Sequence, residues 1–186
     1  MVEITYQMVL STLQTVSLMI GVIYYIFIMR NSQKTRELSL KAQELTLETR
    51  QTQLLMQIYQ NLSSETTLKN WIDILSYEFE DYEDFNRKYG SAYNKESFAK
   101  RYSVWRMLDG VGLLLRDGLL DVDRVYDLMD ATVIPQWEKY GHIVKEFRNE
   151  GWPDAEEGFE YLYDEIMKVR KQRGIAEDVD ALVFIE

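Results

Sequence analysis

The chain has 186 residues, enough for one modest domain with an appendage, and its 46% hydrophobic and 28% charged residues form a globular balance that excludes wholesale disorder. Two prolines and nine glycines favour long helices over many short strands, and the absence of cysteine excludes disulfide frameworks, thiolate metal clusters and thiol nucleophiles. A formal charge of -10 opposes phosphate neutralisation, so no nucleic-acid partner is expected.

Residues 4–29 carry no charged side chain, an uninterrupted run of 26 residues. As a helix this run would extend roughly 39 Å at ~1.5 Å per residue, enough to cross a ~30 Å hydrocarbon core with some tilt. A secretory leader needs a basic start and a small-residue cleavage site; only Glu3 precedes the run and no such site follows Met29. The expectation is therefore a retained transmembrane helix over residues 1–30, set against a buried soluble helix. Arg30, Lys34, Arg36 and Lys41 crowd its C-terminal flank. The positive-inside bias thus puts the N-terminus outside and all that follows Arg30 in the cytoplasm. Tyr6, Tyr24 and Tyr25 are candidate interfacial anchors. At 100° per residue, Gln7, Ser11, Gln14, Ser17 and Gly21 share one stripe, with Met8, Val9, Val16, Met19, Ile20, Ile23 and Phe27 on the other side. Amides facing hydrocarbon lack partners, so this stripe is expected to face protein or water, with self-association favoured over a lone helix.

Residues 31–62 read as a helical stalk with a coiled-coil-like recurrence. Leu38, Ala42, Leu45, Thr49, Thr52, Met56 and Tyr59 alternate steps of four and three, the spacing of a coiled-coil seam. Leu40, Leu47, Leu54 and Ile58 form a second partial stripe, which suits a helix touching two neighbours. The competing expectation is that the stalk packs on its own C-terminal domain.

Residues 63–174 carry the acidity: residues 63–186 hold 16 basic and 27 acidic side chains, net -11. About five helices are expected there. Ser63 or Ser64 caps one containing Leu68, Trp71, Ile72, Leu75 and Phe79, and Gly90 closes an acidic, tyrosine-rich stretch. Asn94 caps a helix with Phe98, Tyr102, Trp105, Leu108, Val111 and Leu115 inward, stopped at Gly118. Asp121 or Asp123 opens a short helix with Val125, Tyr126 and Met129. Pro135 then opens another, through Trp137, Tyr140, Val144 and Phe147 to Gly151. Asp154 with Glu157 matches a capping box for a last helix with Phe159, Leu162, Tyr163, Ile166 and Val169, ending at Gly174. The tail, residues 175–186, contains an apolar run at 181–185 that can dock on the domain or a neighbouring subunit.

Trp105, Asp109-Gly-Val-Gly-Leu-Leu, Gly118-Leu-Leu-Asp121, Val125-Tyr126, Trp137 and Arg148, behind an N-terminal span, resemble a prokaryotic domain-of-unknown-function family of single-pass membrane proteins. The resemblance covers roughly residues 65–170. It implies a helical cytosolic domain and supplies no catalytic residue.

No motif for chemistry emerges. His142 is the sole histidine, which excludes HExxH and His-rich metal sites, and an Arg at the HEPN spacing before it is absent. Serine-hydrolase and phosphate-loop patterns are also missing, and Gly110-Val-Gly112 reads as close helix packing. Glu78, Glu80, Asp81, Glu83 and Asp84 spread around a helix as a solvated face. Asp121, Asp123, Asp127 and Asp130 resemble a metal cluster on paper, yet the first two suit cap and first-turn positions. Arg148 suits a structural salt bridge. These observations predict an all-α, membrane-anchored, self-associating scaffold without enzymatic activity, cofactor or metal, with lipid bilayer, sister copies and a protein at the acidic domain as partners. The alternative is an oligomeric pore or defence-type effector gated by its cytosolic domain.

Overall fold

A computed structural model describes residues 6–175, and every regular element in it is a helix. The six are α1 (Tyr6–Leu62), α2 (Glu65–Leu75), α3 (Tyr82–Tyr89), α4 (Lys95–Arg116), α5 (Val122–Asn149) and α6 (Glu157–Gln172). The expected architecture, a long N-terminal helix followed by a bundle of five, is the observed one. The chain divides into two units between Arg50 and Gln51.

In the first unit, α1 runs without proline and with Gly21 as its one glycine, and every described side chain is exposed. Its hydroxyls look after themselves: Thr12, Thr15, Thr35, Thr46 and Thr49 each donate to the carbonyl four residues back. Such back-bonding satisfies the hydroxyl's donor within the helix itself.

The second unit begins with the last turns of α1, where Leu54, Leu55 and Ile58 pack on the core and Leu62 is buried. The stalk expected over residues 31–62 is thus one helix shared by two units. Leu54 and Ile58 of the second stripe serve their own domain, while Thr52, Met56 and Tyr59 remain exposed.

Capping follows the sequence at three of four starts; at the fourth, Asp81, expected on the solvated face of a helix, instead caps α3, and Glu78 and Glu80 precede that helix. Ser64 Oγ accepts from the Thr67 amide at 3.2 Å, Asp81 from Asp84 at 2.9 Å, Asn94 from Ser97 at 3.0 Å and Asp121 from Arg124 at 3.0 Å. Gly118, Gly151 and Gly174 hold φ of 71°, 110° and 67° where helices end. In this region an added Cβ is strained.

Four expectations need correction. First, α2 stops at Leu75, so Phe79 lies beyond it and packs in the core against Phe85 and Tyr140 at 5.0 and 5.6 Å. Second, the two helices expected on either side of Pro135 are the single helix α5. Interior proline costs about 3 kcal/mol. Breaking here would strip Val133, Ile134, Gln136 and Trp137, all buried, from one continuous face. Third, the Asp154–Glu157 capping box is absent. The residue before α6 is Glu156, left-handed at φ 51° and ψ 37°, with no side-chain cap. Fourth, Tyr102 is 51% exposed and Arg101 takes the inward position.

The core sits among α4, α5 and α6, with Trp105, Leu108, Met129, Ile134, Tyr140, Phe159, Leu162 and Ile166 almost fully buried. Tyr140 donates its hydroxyl to the Ile74 carbonyl, and burial pushes that phenol well above its ordinary pKa. The apolar run at 181–185 lies outside the described residues.

Candidate functional site

The predicted association residues all lie on α1. Gln7, Ser11, Gln14, Ser17 and Gly21 are exposed, and a Cβ on Gly21 would meet nothing within 4 Å. In contrast to the hydroxyls of Thr12 and Thr15, the side-chain amides of Gln7 and Gln14 hydrogen-bond to no described residue. Leu38, Ala42, Leu45, Thr49, Thr52, Met56 and Tyr59 are likewise exposed.

Heptad counting adds a relation between the two sets. From Gln14 to Thr49 is 35 positions, five whole heptads. Gln7, Gln14 and Gly21 therefore share the phase of Ala42, Thr49 and Met56, and Ser17 shares that of Leu38, Leu45, Thr52 and Tyr59. Ser11 flanks the line. An ideal straight helix drifts ~20° per heptad, so the two sets diverge unless α1 winds into a left-handed supercoil.

A second site, which sequence reading missed, lies in the bundle. A cavity of about 590 Å³ is walled by Tyr82 and Asn86 of α3, Phe98, Arg101, Tyr102 and Trp105 of α4, Phe147 of α5, and Glu150, Trp152 and Glu156 beyond it. Arg101 is only 4% exposed. Its guanidinium carbon lies 4.6 Å from the Trp105 ring centre, 4.9 Å from Phe85 and 5.3 Å from both Phe98 and Phe147. No described residue forms a hydrogen bond or ion pair with it, and its Nε is buried without a partner. Burial lowers its pKa to about 10, still far above neutrality, so the cation persists.

Two carboxyls share the cavity. Glu150 accepts from the Tyr82 hydroxyl at 2.5 Å, and burial, followed by that bond, pushes the phenol up to about 12. Glu156 has one buried oxygen, Oε2, without a partner, and burial with Asp109 nearby raises its pKa to about 7.

Asp109 explains why Glu156 needs no capping box. Its carboxylate, carried on α4 and 5% exposed, accepts from the Gly158 amide at 2.8 Å and the Phe159 amide at 3.3 Å, while Arg106 holds its other oxygen at 2.9 Å. The first turn of α6 is thus capped from another helix. The approach requires glycine: a Cβ on Gly112 would sit 1.7 Å from the Gly158 carbonyl oxygen, and one on Gly158 would sit 2.3 Å from that of Asp109. Gly110, expected to share this packing role, faces open space.

The other candidates have local duties. Asp84 pairs with Lys88 and Arg87 at 2.7 and 2.6 Å, and the Lys88 hydrogen bond above all holds its carboxyl down at about 2. Asp123 and Asp127 bind Arg173 at 2.9 and 2.5 Å, and Asp130 accepts from the Ala131 amide. Among the described residues no three His, Asp or Glu side chains converge as a metal site. His142 is exposed beside Phe79 at 6.0 Å. Arg148 donates to the Ala155 carbonyl at 2.9 Å and pairs with Glu160.

Residues 15–166 match the family described as Domain of unknown function (DUF4760). The chain belongs to that family. The matched stretch takes in both Asp109-Gly-Val-Gly112, whose aspartate and second glycine make the α4–α6 contact, and most of the uncharged part of α1. No curated protein and no solved structure matches the chain.

Proposed function

We propose that this protein is a membrane-anchored, self-associating helical scaffold without catalytic activity. The uncharged part of α1 spans the bilayer once, and the basic residues after it hold that end, with the acidic helical domain, in the cytoplasm. Copies associate in parallel along α1, and the acidic domain presents a surface to a protein partner. One helix among the described residues is long and apolar enough to cross a membrane.

The observation that carries this reading is the shared heptad phase of the span stripe and stalk seam on one unbroken helix. In a supercoil the unpaired amides of Gln7 and Gln14 meet sister copies instead of lipid, and Leu38, Leu45 and Tyr59 meet their equivalents. Anchoring in one bilayer fixes the copies parallel and in register.

Because the chain has no cysteine, single substitutions report seam contacts directly. Oxidation of Ala42→Cys and Thr49→Cys in native membranes is expected to give disulfide dimers quickly. Gln43→Cys, on the outward phase, is expected to react slowly. Equal rates at all three positions refute the seam. Single-channel current through reconstituted oligomers would replace scaffolding with the pore alternative, which uses the same inward face.

A further inference from the structure

We infer that the cavity around Arg101 binds a small organic acid, its carboxylate or phosphate on the Arg101 guanidinium and a flat apolar body against the aromatic wall.

The charge of the site is incomplete as it stands. A buried cation away from water costs several kcal/mol unless it is paired and hydrogen-bonded. Ring faces offset part of that cost, about 2 kcal/mol for a desolvated cation–π contact. They leave the guanidinium without a protein acceptor, Nε being buried as well as unpartnered, because ring faces are poor acceptors. Elsewhere in this domain arginines find oxygens: Arg87, Arg106, Arg148 and Arg173 each reach a carboxylate. Arg101, the most deeply buried of these five, reaches none.

The nearby acids do not complete it. Glu150 is occupied by Tyr82, and Glu156 forms no ion pair with Arg101, its Oε2 being buried without a partner. A carboxylate or phosphate supplies the missing acceptors in the forked geometry that a guanidinium favours.

Size and lining define the rest of the ligand. A cavity of about 590 Å³ lies within the range of small-molecule sites. Tyr102 stacks on Phe98 at 5.5 Å, and Trp152, which also lines the cavity, is 73% exposed. An exposed tryptophan lining the same cavity as a buried cation suits a body that is flat and apolar. Net negative charge over the domain disfavours polyanions, whose many charges meet that field, and leaves small acids with one anionic group.

The test uses the full-length chain in detergent micelles, with sodium benzoate and phenyl phosphate as probes and benzamide as the neutral control. The side-chain Nε–H resonance of Arg101 is followed by nitrogen-15 NMR, and tryptophan fluorescence gives the affinity. Saturable displacement of that resonance by either acid is expected, with benzamide at least about tenfold weaker, a difference of about 1.4 kcal/mol. Arg101→Met is expected to abolish acid binding. Arg101→Lys, which keeps charge and loses the planar fork, is expected to weaken it and covers failure of the methionine variant to fold. The inference is overturned if neither acid moves the Arg101 resonance, if benzamide binds equally well, or if the folded variants bind as the parent does. Scaffolding along α1 is untouched by any of these outcomes.

Discussion

The two units solve the same problem, an excess of apolar side chains, in opposite ways. In the second, Ile74, Phe85, Leu108, Tyr140, Phe159 and Leu162 are withdrawn from water by neighbouring helices of the same chain. In the first, Leu18, Met19, Ile20, Ile23, Tyr24 and Phe27 are each more than 60% exposed. One unit carries its own solvent-free interior; the other leaves its apolar side chains exposed, and in the proposed scaffold bilayer and sister copies cover them. Hydrophobic burial drives the first arrangement, whereas helix association within lipid depends on packing and hydrogen bonds. Substitutions should therefore separate the two, with large losses of folding stability in one unit and modest losses of association in the other.

The largest expected effect is at the closest approach of α4 and α6. Gly112→Val places branched carbon where the Gly158 carbonyl stands, and overpacking against backbone costs about 3 kcal/mol or more. Thermal unfolding of the helical bundle should shift down sharply, while disulfide formation at Ala42→Cys in the same chain persists. If both fail together, the two units are one cooperative structure and the contrast is lost.

Next in size is the borrowed cap. Asp109→Ala strips an acceptor from the Gly158 and Phe159 amides and a partner from Arg106. Loss of a good N-cap costs up to ~2 kcal/mol, with the unpaired amide donors at the upper end. Asp109→Asn keeps one accepting oxygen and should recover much of this in denaturant titration. Equal losses for the two variants would mean that charge, not the hydrogen bonds, holds the helix end.

These two sites mark the boundary of what could be read in the sequence. Local signals were legible: Ser64, Asn94 and Asp121 sit beside the helices they cap, and Gly118 and Gly174 sit where chains must turn left-handed. Long-range ones were not. Asp154 and Glu157 had the right spacing for a cap, yet Asp109, some fifty positions away, took the role. Pro135 looked like a helix start because its penalty is local, whereas the compensating burial around Ile134 and Trp137 comes from other helices. The Arg101 cavity left no spacing signature at all. A lone arginine three residues from Phe98 and four from Trp105 reads as an ordinary helix-surface residue until Phe85 and Phe147 close over it.

In the first unit the expected effects are smaller. Gln14→Leu removes one interhelical amide from the proposed seam, and such bonds within membranes contribute about 1 kcal/mol each. Oligomer dissociation measured by energy transfer in vesicles should then strengthen with dilution by about fivefold per contact. Thermal unfolding of the helical bundle should not move. An unchanged oligomer would place Gln14 outside the seam.

The smallest effect is a pH dependence confined to the second unit. Glu156 faces Asp109, Arg106 and Arg101 of α4 and Arg148 of α5; burial, then Asp109, raises its pKa to about 7 against an ordinary 4.5. Between those values the folded chain holds a proton there that the unfolded chain has released. Stability from this group is therefore fully present below about pH 4.5 and is lost as pH rises through 7. Glu156→Gln cannot titrate, so the stability difference between parent and variant should grow in the variant's favour across that window and level off above it. Other carboxyls, Asp84 among them, slope the opposite way at low pH but cancel in the difference because both proteins share them. The same ionisation puts a second negative charge in the Arg101 cavity, so an acid bound there should be held less tightly above pH 7. A flat difference curve would show Glu156 already ionised in the folded domain, paired with Arg101, and would remove the charge imbalance on which acid binding rests.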